Sequence, residues 1–173
     1  MWDFFQTVRH RHSVRQYQDD MPVEKEKLHA ILETLISAPS AGDLQSYRVI
    51  VVENSEQREA ISDAADSQDF IASAPVCLVF CTDAERASEK FGERGRELFT
   101  IQDTTIAAAY AQLAIVAAGL ASTWVGKFDT EKLRKVLEID KQLEPIVLLS
   151  LGYAAELPEP TPRRPLDDIV VYR

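Results

Sequence analysis

Apolar residues follow one another in three short runs along the chain, a pattern typical of buried strands. The runs cover residues 47–53, 75–82 and 145–151 and are rich in β-branched and large aliphatic side chains, so each predicts a strand. The run at 75–82 is apolar almost throughout. A strand without polar alternation has both faces buried, so we expect this strand to lie at the centre of a sheet.

Other apolar residues recur at helical spacing. The clearest series lies between Pro22, which opens the helix, and Pro39, which ends it because proline disfavours helix in the preceding residue. Its apolar positions are Leu28, Ile31, Leu32, Leu35 and Ile36. A short helix is predicted over residues 3–8, and Ser55 and Thr130 are candidate N-caps of two further helices.

The longest helical pattern covers about residues 101–119 and carries alanine on every face. A helix that is apolar all round must be buried, so we expect a second chain to cover one side of it. Residues 104–126 contain no charge and are long enough to span a bilayer. Their alanines, threonines and serine favour a helix buried in protein, then a turn and a short extended piece, over the alternative of a membrane span.

Two segments depart from these patterns. Residues 83–99 are charged and contain Gly92 and Gly95, and we expect an exposed, partly helical excursion there. The tail after Tyr153 is rich in proline and cannot form regular structure, although residues 169–172 are strand-like. Neither the three-glycine dinucleotide fingerprint nor a P-loop is present, so any nucleotide must be bound by a different kind of motif.

Composition narrows the classes of function. The chain has 173 residues, of which 46% are hydrophobic, which suits a single domain over residues 1–173. It carries 28 acidic and 19 basic residues, a formal net charge of -9. This balance argues against a nucleic-acid binder, because a phosphate backbone requires a broad basic face. His10, His12 and His29 are too scattered for a metal site.

The cysteines indicate the compartment. Cys77 and Cys81 point the same way on one predicted strand but lie too far apart to form a disulfide. We therefore expect buried free thiols and a reducing, cytoplasmic location. Residues 1–5 lack the basic and apolar regions of a secretory signal.

The densest chemistry lies in residues 9–15, where three arginines, two histidines and a serine stand together on an otherwise acidic chain. Arginine presents a rigid fork of donors that fits phosphate oxygens, and serine adds a hydroxyl. The segment therefore indicates a site for a small anion. Taken alone, a solvated basic turn explains it equally well.

Three further segments carry polar groups that could complete such a site. Residues 38–45 combine a rigid loop with a hydroxyl, a carboxylate and an amide, which can bond the polar edge of a flat heterocycle. Residues 119–128 are rich in small side chains, and Gly126 can present its N–H without a side chain in the way. Residues 162–166 place two guanidiniums on a stiff frame. Each segment also has a purely structural explanation. Residues 38–45 could be a capped turn, residues 119–128 a helix-to-strand turn, and residues 162–166 a solvated tail.

In this order and spacing, the four segments resemble the motifs of the nitroreductase family of flavin enzymes, over nearly the whole chain. Residues 11–15, Arg-His-Ser-Val-Arg, are similar to the opening Arg-Arg/His-Ser-x-Arg/Lys signature of that family. Residues 38–45 resemble its Pro-Ser-x-x-Asn-x-Gln loop. Residues 119–126 resemble its second flavin-contacting turn, and residues 163–166 its basic C-terminal element.

The resemblance implies a fold, a cofactor and an assembly. The fold is α+β and nitroreductase-like in three layers, with a mostly antiparallel sheet flanked by helices and a C-terminal strand exchanged in a homodimer. FMN lies at the dimer interface, and NADH or NADPH donates hydride in a ping-pong cycle that reduces a nitroaromatic, a quinone or a related small-molecule acceptor. The residues assigned to the cofactor are Arg11, His12, Ser13, Arg15, Pro39, Ser40, Asp43, Gln45, Val125, Gly126, Arg163 and Arg164.

By the same analogy, residues 11–15 hold the phosphate together with Arg163 or Arg164. The loop at 39–45 meets the ribityl chain and the ring edge, partly from the opposite subunit, and the backbone N–H of Gly126 faces the flavin N5. Asp43 stands where the family usually has Asn, and a carboxylate cannot donate as an amide does unless it is protonated. Ser46 stands where Pro is common.

The resemblance assigns no catalytic side chain. Lys127 and Arg48 are weak candidates for a cation near the flavin N1, because each is better explained as a surface ion-pair partner. Other functions stay open at this point. They are a flavin-binding protein that stores or senses the cofactor, a dehalogenating or flavin-consuming member of the family, and an interaction domain without a cofactor.

Overall fold

A four-stranded antiparallel sheet forms the centre of the molecule in the computed structural model, which describes residues 3–18 and 20–173. The strands are β1 (Tyr47–Val52), β2 (Val76–Asp83), β3 (Ala121–Val125) and β4 (Leu143–Gly152). They lie in the order β1-β2-β4-β3. Every residue of β2 is buried, which confirms that the most apolar run forms a central strand.

Seven α-helices are found in the described residues. They are α1 (Phe4–His10), α2 (Lys25–Ile36), α3 (Ser55–Ala64), α4 (Phe70–Ser73), α5 (Ala84–Arg94), α6 (Thr100–Ala117) and α7 (Thr130–Leu137). The predicted N-caps, Ser55 and Thr130, are each one residue too far along the chain. The side chain of Asn54 caps α3, and that of Asp129 caps α7. Pro22 lies outside α2, which begins at Lys25.

Helices cover the sheet on both faces. Leu78 and Phe80 of β2 pack with α2 and α6 on one face. Cys77, Val79 and Cys81 pack with apolar residues of α3, α4 and α7 on the other. This arrangement confirms the predicted α+β, three-layer fold, because successive side chains of a strand point to opposite faces.

Residues 84–99 are mostly exposed, as predicted, but they are helical throughout and not only in part. Helix α5 contains a break at Gly92, whose φ is 58°, and a π-helical turn follows over Gly95–Phe99. A Cβ built on Gly95 would lie 2.4 Å from the carbonyl oxygen of Ala87. Gly95 is therefore a point of close packing between the two helical segments, although the sequence suggests a breaker.

The C-terminal tail lies on the surface. Every residue from 155 to 173 is exposed, and the tail contains a single 3-10 turn at Leu166–Asp168. Residues 169–172 form no strand within this chain, because a strand requires a neighbouring strand to accept and donate its hydrogen bonds. Val171 and Tyr172 are 75% and 83% exposed, which leaves apolar surface for another partner.

A second apolar surface lies at the helical layer of α1, α2 and α6. It surrounds a cavity of about 660 Å³, which is lined by Phe4, Thr7, Ala30, Ile31, Thr34, Tyr110, Leu113, Ala114, Ala117 and Ala118. Phe4 and Phe5 are about two-thirds exposed. We call this region the α6 surface.

Among the described residues, no helix is long and apolar enough to cross a membrane, and no group of three or more His, Cys, Asp or Glu is arranged to hold a metal ion.

Candidate functional site

The basic segment, residues 11–15, extends along strand β3. Ser13 forms a parallel bridge with Ser122, and the backbone N–H of Val14 donates to the carbonyl of Ser122 at 3.1 Å. Sequence reasoning described residues 121–125 only as a short extended piece, because their small and hydroxyl side chains give a weak strand signal. The strand matters for function because it gives the basic segment a fixed backbone to pair with.

A buried tyrosine fixes the other end of the basic segment. The hydroxyl of Tyr17 donates to the carbonyl of Val14 and is also within 3.1 Å of the carbonyl and the hydroxyl of Ser150. The hydroxyl of Thr123 donates to the same Val14 carbonyl. Burial raises the pKa of Tyr17 to about 12, so the phenol stays protonated and available as a donor.

The basic segment leaves its cations without carboxylate partners. Arg11 is half-buried and Arg15 is exposed, and neither forms an ion pair with an acidic residue that the structure describes. The Arg15 guanidinium lies 5.8 Å from the centre of the Phe70 ring. On a chain with a net charge of -9, unpaired guanidiniums on a fixed backbone are suited to binding an anion.

The turn after β3 lies toward the same end as Arg15, because the basic segment and β3 run in parallel. Val125 is buried, and a Cβ built on Gly126 would have only the Trp124 indole nitrogen within 4 Å, at 3.8 Å. The space above Gly126 is therefore open to a ligand that approaches the backbone.

A loop that sequence reasoning missed lies beside this turn. Lys127 pairs with Asp66 at 2.6 Å, and this contact raises the pKa of Lys127 and lowers that of Asp66. Asp66 and Ser67 have positive φ angles, and Phe70 follows them. The sequence offers only a short polar run here, so its proximity to Arg15 could not be predicted. Because Lys127 is already paired, it is a poor candidate for a free cation near the ligand.

The loop at 39–45 has an unusual backbone. Gly42, Asp43 and Gln45 have φ angles of 56°, 56° and 49°, in a region that Asp tolerates better than most residues. The hydroxyl of Ser40 accepts from the backbone N–H of Gln45 at 2.9 Å. The Gln45 side-chain amide donates to the carbonyl of Ile36 at 2.8 Å, so its nitrogen is occupied within the chain. Asp43 is exposed.

The loop and the basic segment lie at opposite ends of α6. Asp103, in the first turn of α6, binds the loop, whereas the turn after the last residue of α6 leads directly into β3. The 18 residues of α6 span about 27 Å. The predicted site residues therefore fall into two candidate half-sites on one chain, the basic segment with the Gly126 turn, and the loop with Pro39, Ser40, Asp43 and Gln45.

The remaining predicted site residues join neither half-site. Arg163 and Arg164 lie on the exposed tail, where Arg164 donates to the carbonyl of Asp168 at 2.8 Å. His12 lines a separate cavity of about 320 Å³ together with His10, Val14 and Tyr153, and Arg11, Ser13 and Arg15 do not border that cavity. The structure thus places Ser13 beside Ser122 and Arg15 toward the Gly126 end of β3. His12 borders a different cavity, and the tail arginines lie apart from both.

Comparisons with known proteins match this geometry. A sequence model of the nitroreductase family matches residues 8–68 and 65–153. A protein of Thermus thermophilus named NADH dehydrogenase is 31% identical, over 94% of this chain and 92% of its own length. A protein of Bacillus subtilis named FMN reductase [NAD(P)H] is 31% identical, over 98% of this chain and 73% of its own length.

Solved structures agree with the sequence matches. The hypothetical oxidoreductase YcnD of Bacillus subtilis is 30% identical and superposes with a TM-score of 0.90, covering 98% of this chain and 73% of that one. An FMN-dependent nitroreductase of Clostridium difficile is 27% identical, with a TM-score of 0.83 and a coverage of 98% of both chains. The likeness extends over nearly the whole chain, and so over the sheet and both helical layers.

Proposed function

Because the chain belongs to the nitroreductase family, we propose that it is a single-domain, FMN-dependent oxidoreductase that uses NADH or NADPH to reduce small electron acceptors. Relatives named FMN reductase [NAD(P)H] and oxygen-insensitive NADPH nitroreductase support both the cofactor and the hydride donor. The acceptors that we propose are nitroaromatics, quinones and related compounds.

The observation that carries this proposal is the basic segment on β3. Arg11, Ser13 and Arg15 offer guanidinium and hydroxyl donors, and the backbone beneath them is fixed by Ser122, Thr123 and Tyr17. A dianionic phosphate is the ligand that fits unpaired guanidiniums on a rigid frame. The open space over Gly126 suits the flat ring of a flavin, with the Gly126 N–H facing the flavin N5.

The two half-sites support a composite site in a homodimer. The loop at 39–45 contacts the first turn of α6, whereas β3, which pairs with the basic segment, follows the last turn, so we propose that the loop serves the flavin of the partner subunit. In that arrangement Ser40, Asp43 and Gln45 meet the ribityl chain and the ring edge, and Pro39 shapes the loop. The apolar α6 surface would form the interface, because a monomer rarely exposes such a patch to water.

The tail completes the assembly in this proposal. Its exposed apolar end, residues 169–172, would add a strand to the partner, and Arg163 or Arg164 would join the phosphate site. FMN held there would supply the redox chemistry that links oxidation of NADH or NADPH to reduction of the acceptor. The chain itself orients the cofactor and supplies backbone donors. No side chain is assigned a catalytic role.

The experiment is an absorption spectrum of the purified protein before and after anaerobic addition of NADH or NADPH. We expect FMN bound at one per subunit, bleached by the reduced nicotinamide and restored by a quinone or a nitroaromatic. FMN that binds but is not bleached would indicate storage or sensing. Halide release from a halogenated substrate, or net loss of flavin, would indicate another branch of the family. Colourless protein that takes up no added FMN would contradict the proposal.

A further inference from the structure

The loop at 39–45 is held from outside by one buried carboxylate. Asp103, on the first turn of α6, is 2% exposed. One of its oxygens accepts from the backbone N–H of Ala41 at 2.8 Å. The other accepts from the hydroxyl and the backbone N–H of Ser46, at 2.6 and 3.4 Å. Asp103 therefore binds the loop at its beginning and just beyond its end.

Ser46 is fixed at every polar atom. In addition to its two bonds to Asp103, its carbonyl accepts from the hydroxyl of Thr100 at 2.8 Å and from the backbone N–H of Asp83 at 3.0 Å. Ser46 is fully buried. The closing end of the loop is thus attached both to α6 and to the end of β2.

The loop needs this support because its backbone conformation is intrinsically unfavourable. Asp43 and Gln45 are non-glycine residues at positive φ, and each such residue costs of order 1–3 kcal/mol unless the surrounding structure enforces it. Within the loop, the hydrogen bonds are local, from Asp43 to Ser40 and from Leu44 to Ala41. From outside the loop, Arg86 and Lys90 of α5 donate to the carbonyls of Leu44 and Gly42. Asp103, together with the Thr100 hydroxyl, attaches this conformation to α6.

We propose that Asp103 is a positioning residue for the flavin. It sets the backbone of the loop so that Ser40, Asp43 and Gln45 meet the ribityl chain and ring of the cofactor held by the partner subunit. This inference rests on the proposed function. A carboxylate is suited to the role because it only accepts, and all three groups that face it donate. An amide at this position would direct its own N–H₂ donors at one of them.

The test separates the ring end of the cofactor from the phosphate end. Riboflavin has the ring and the ribityl chain of FMN but no phosphate. In Asp103→Asn, we expect the dissociation constants of both FMN and riboflavin to rise about tenfold, which corresponds to the loss of one buried charge-assisted bond. In Arg15→Ala, FMN binding should weaken and riboflavin binding should not.

Thr104→Val is the matched control. Thr104 is the next residue of α6, is equally buried, and donates within the helix to the carbonyl of Thr100 at 2.7 Å without touching the loop. Both flavins should bind this variant as they bind the original protein. Thermal melting of the apoprotein then measures any general loss of stability in the two variants.

The midpoint potential of bound FMN gives a readout that a purely structural role would leave unchanged. We expect it to shift in Asp103→Asn and not in Thr104→Val, because only the first variant displaces groups at the ring edge. If Asp103→Asn melts at a lower temperature but binds both flavins with unchanged affinity and potential, the inference is wrong.

A milder variant covers the case in which Asp103→Asn does not fold. Ser46→Ala removes one hydroxyl and leaves Asp103 its bonds to two backbone N–H groups. It should weaken riboflavin binding in the same direction by a smaller factor, and unchanged riboflavin affinity would overturn the inference. Failure of the unmodified protein to bind FMN would instead contradict the proposed function.

Discussion

At the scale of single residues, the site depends on cations that are held without carboxylate partners. Arg11 and Arg15 lie on a backbone fixed to β3, whereas Arg9 lies in the last turn of α1, outside the paired segment. Position on the chain, and not charge alone, should therefore decide which arginine contributes to cofactor binding.

We expect Arg11→Ala and Arg15→Ala each to weaken FMN binding by roughly 1.5–3 kcal/mol, the value of a hydrogen bond to a charged group. Quenching of flavin fluorescence on titration with apoprotein measures this change. Arg9→Ala is the control and should leave the dissociation constant within about twofold, since a change of 0.4 kcal/mol or less is expected for a surface side chain away from the ligand. Equal losses in all three variants would indicate a diffuse electrostatic effect and contradict the assignment.

Gly126 gives a second test at this scale. A Cβ at this position would meet nothing closer than 3.8 Å, and the residue is not at positive φ. Gly126→Ala should therefore leave the melting temperature of the apoprotein nearly unchanged, while the added methyl group excludes the flavin ring and lowers FMN affinity at least about tenfold. Unimpaired binding would show that the ring does not lie on this turn.

At the scale of elements, the two buried cysteine thiols of β2 affect the stability of the fold and not the site. Burial raises the pKa of both Cys77 and Cys81 to about 12, from an ordinary value near 9. In the folded chain the thiols stay neutral, and in the unfolded chain they lose their protons above about pH 9. Unfolding is then favoured by up to about 1.4 kcal/mol per thiol for each pH unit between the two values.

We therefore expect the free energy of unfolding to fall as the pH rises above 9, measured by urea denaturation in the presence of a reductant. Cys77→Ala/Cys81→Ala should lower stability at pH 7 but flatten the fall between pH 9 and 10. Tyr17, whose pKa is also raised to about 12, should leave a residual decline above pH 10. The same slope in the double variant and the original protein would contradict this account.

The elements that sequence predicted well are those with a continuous apolar pattern. Strands β1, β2 and β4 and helices α2 and α6 were all predicted within a few residues of their limits. Strand β3 was predicted only as a short extended piece, because five residues directly after a helix and a turn give too short a pattern to define a strand without its pairing to β4. Gly92 and Gly95 suggested an irregular segment. Gly92 does interrupt α5, whereas Gly95 packs against the carbonyl of Ala87 within the helical turn that follows.

The candidate site was predictable only in part. Residue type and order along the chain indicated the basic segment and the loop at 39–45. They could not indicate Asp103 or the loop containing Asp66, because each acts through contacts with residues distant in sequence. Nor could spacing alone show that the loop contacts the first turn of α6 whereas β3 follows its last turn.

At the scale of the whole molecule, the exposed apolar surface is the strongest argument for a second subunit. Tyr110 is 39% exposed at the middle of α6 and lines the cavity of the α6 surface. We expect Tyr110→Glu to weaken dimerisation at least about 100-fold, or roughly 2.7 kcal/mol, because a buried carboxylate without a partner is strongly unfavourable.

Sedimentation equilibrium measures this change directly. Tyr110→Phe keeps the ring and should remain dimeric. Since the proposed site takes its loop from the partner, FMN affinity should fall together with dimerisation in Tyr110→Glu. A variant that is monomeric and still binds FMN with full affinity would show that one chain forms the whole site, and would contradict the composite arrangement.

The pairing of the basic segment with β3 and β4 also determines when the site can form. Val14 and Thr123 are 109 residues apart in sequence, and Tyr17 and Ser150 are 133 apart. The anion-binding end is thus assembled from the first and last parts of the chain, and contacts of this separation form slowly because a long segment must be closed. During synthesis, the proposed site therefore cannot form until Ser150 has left the ribosome. FMN bound there would stabilise the completed fold and not its early intermediates.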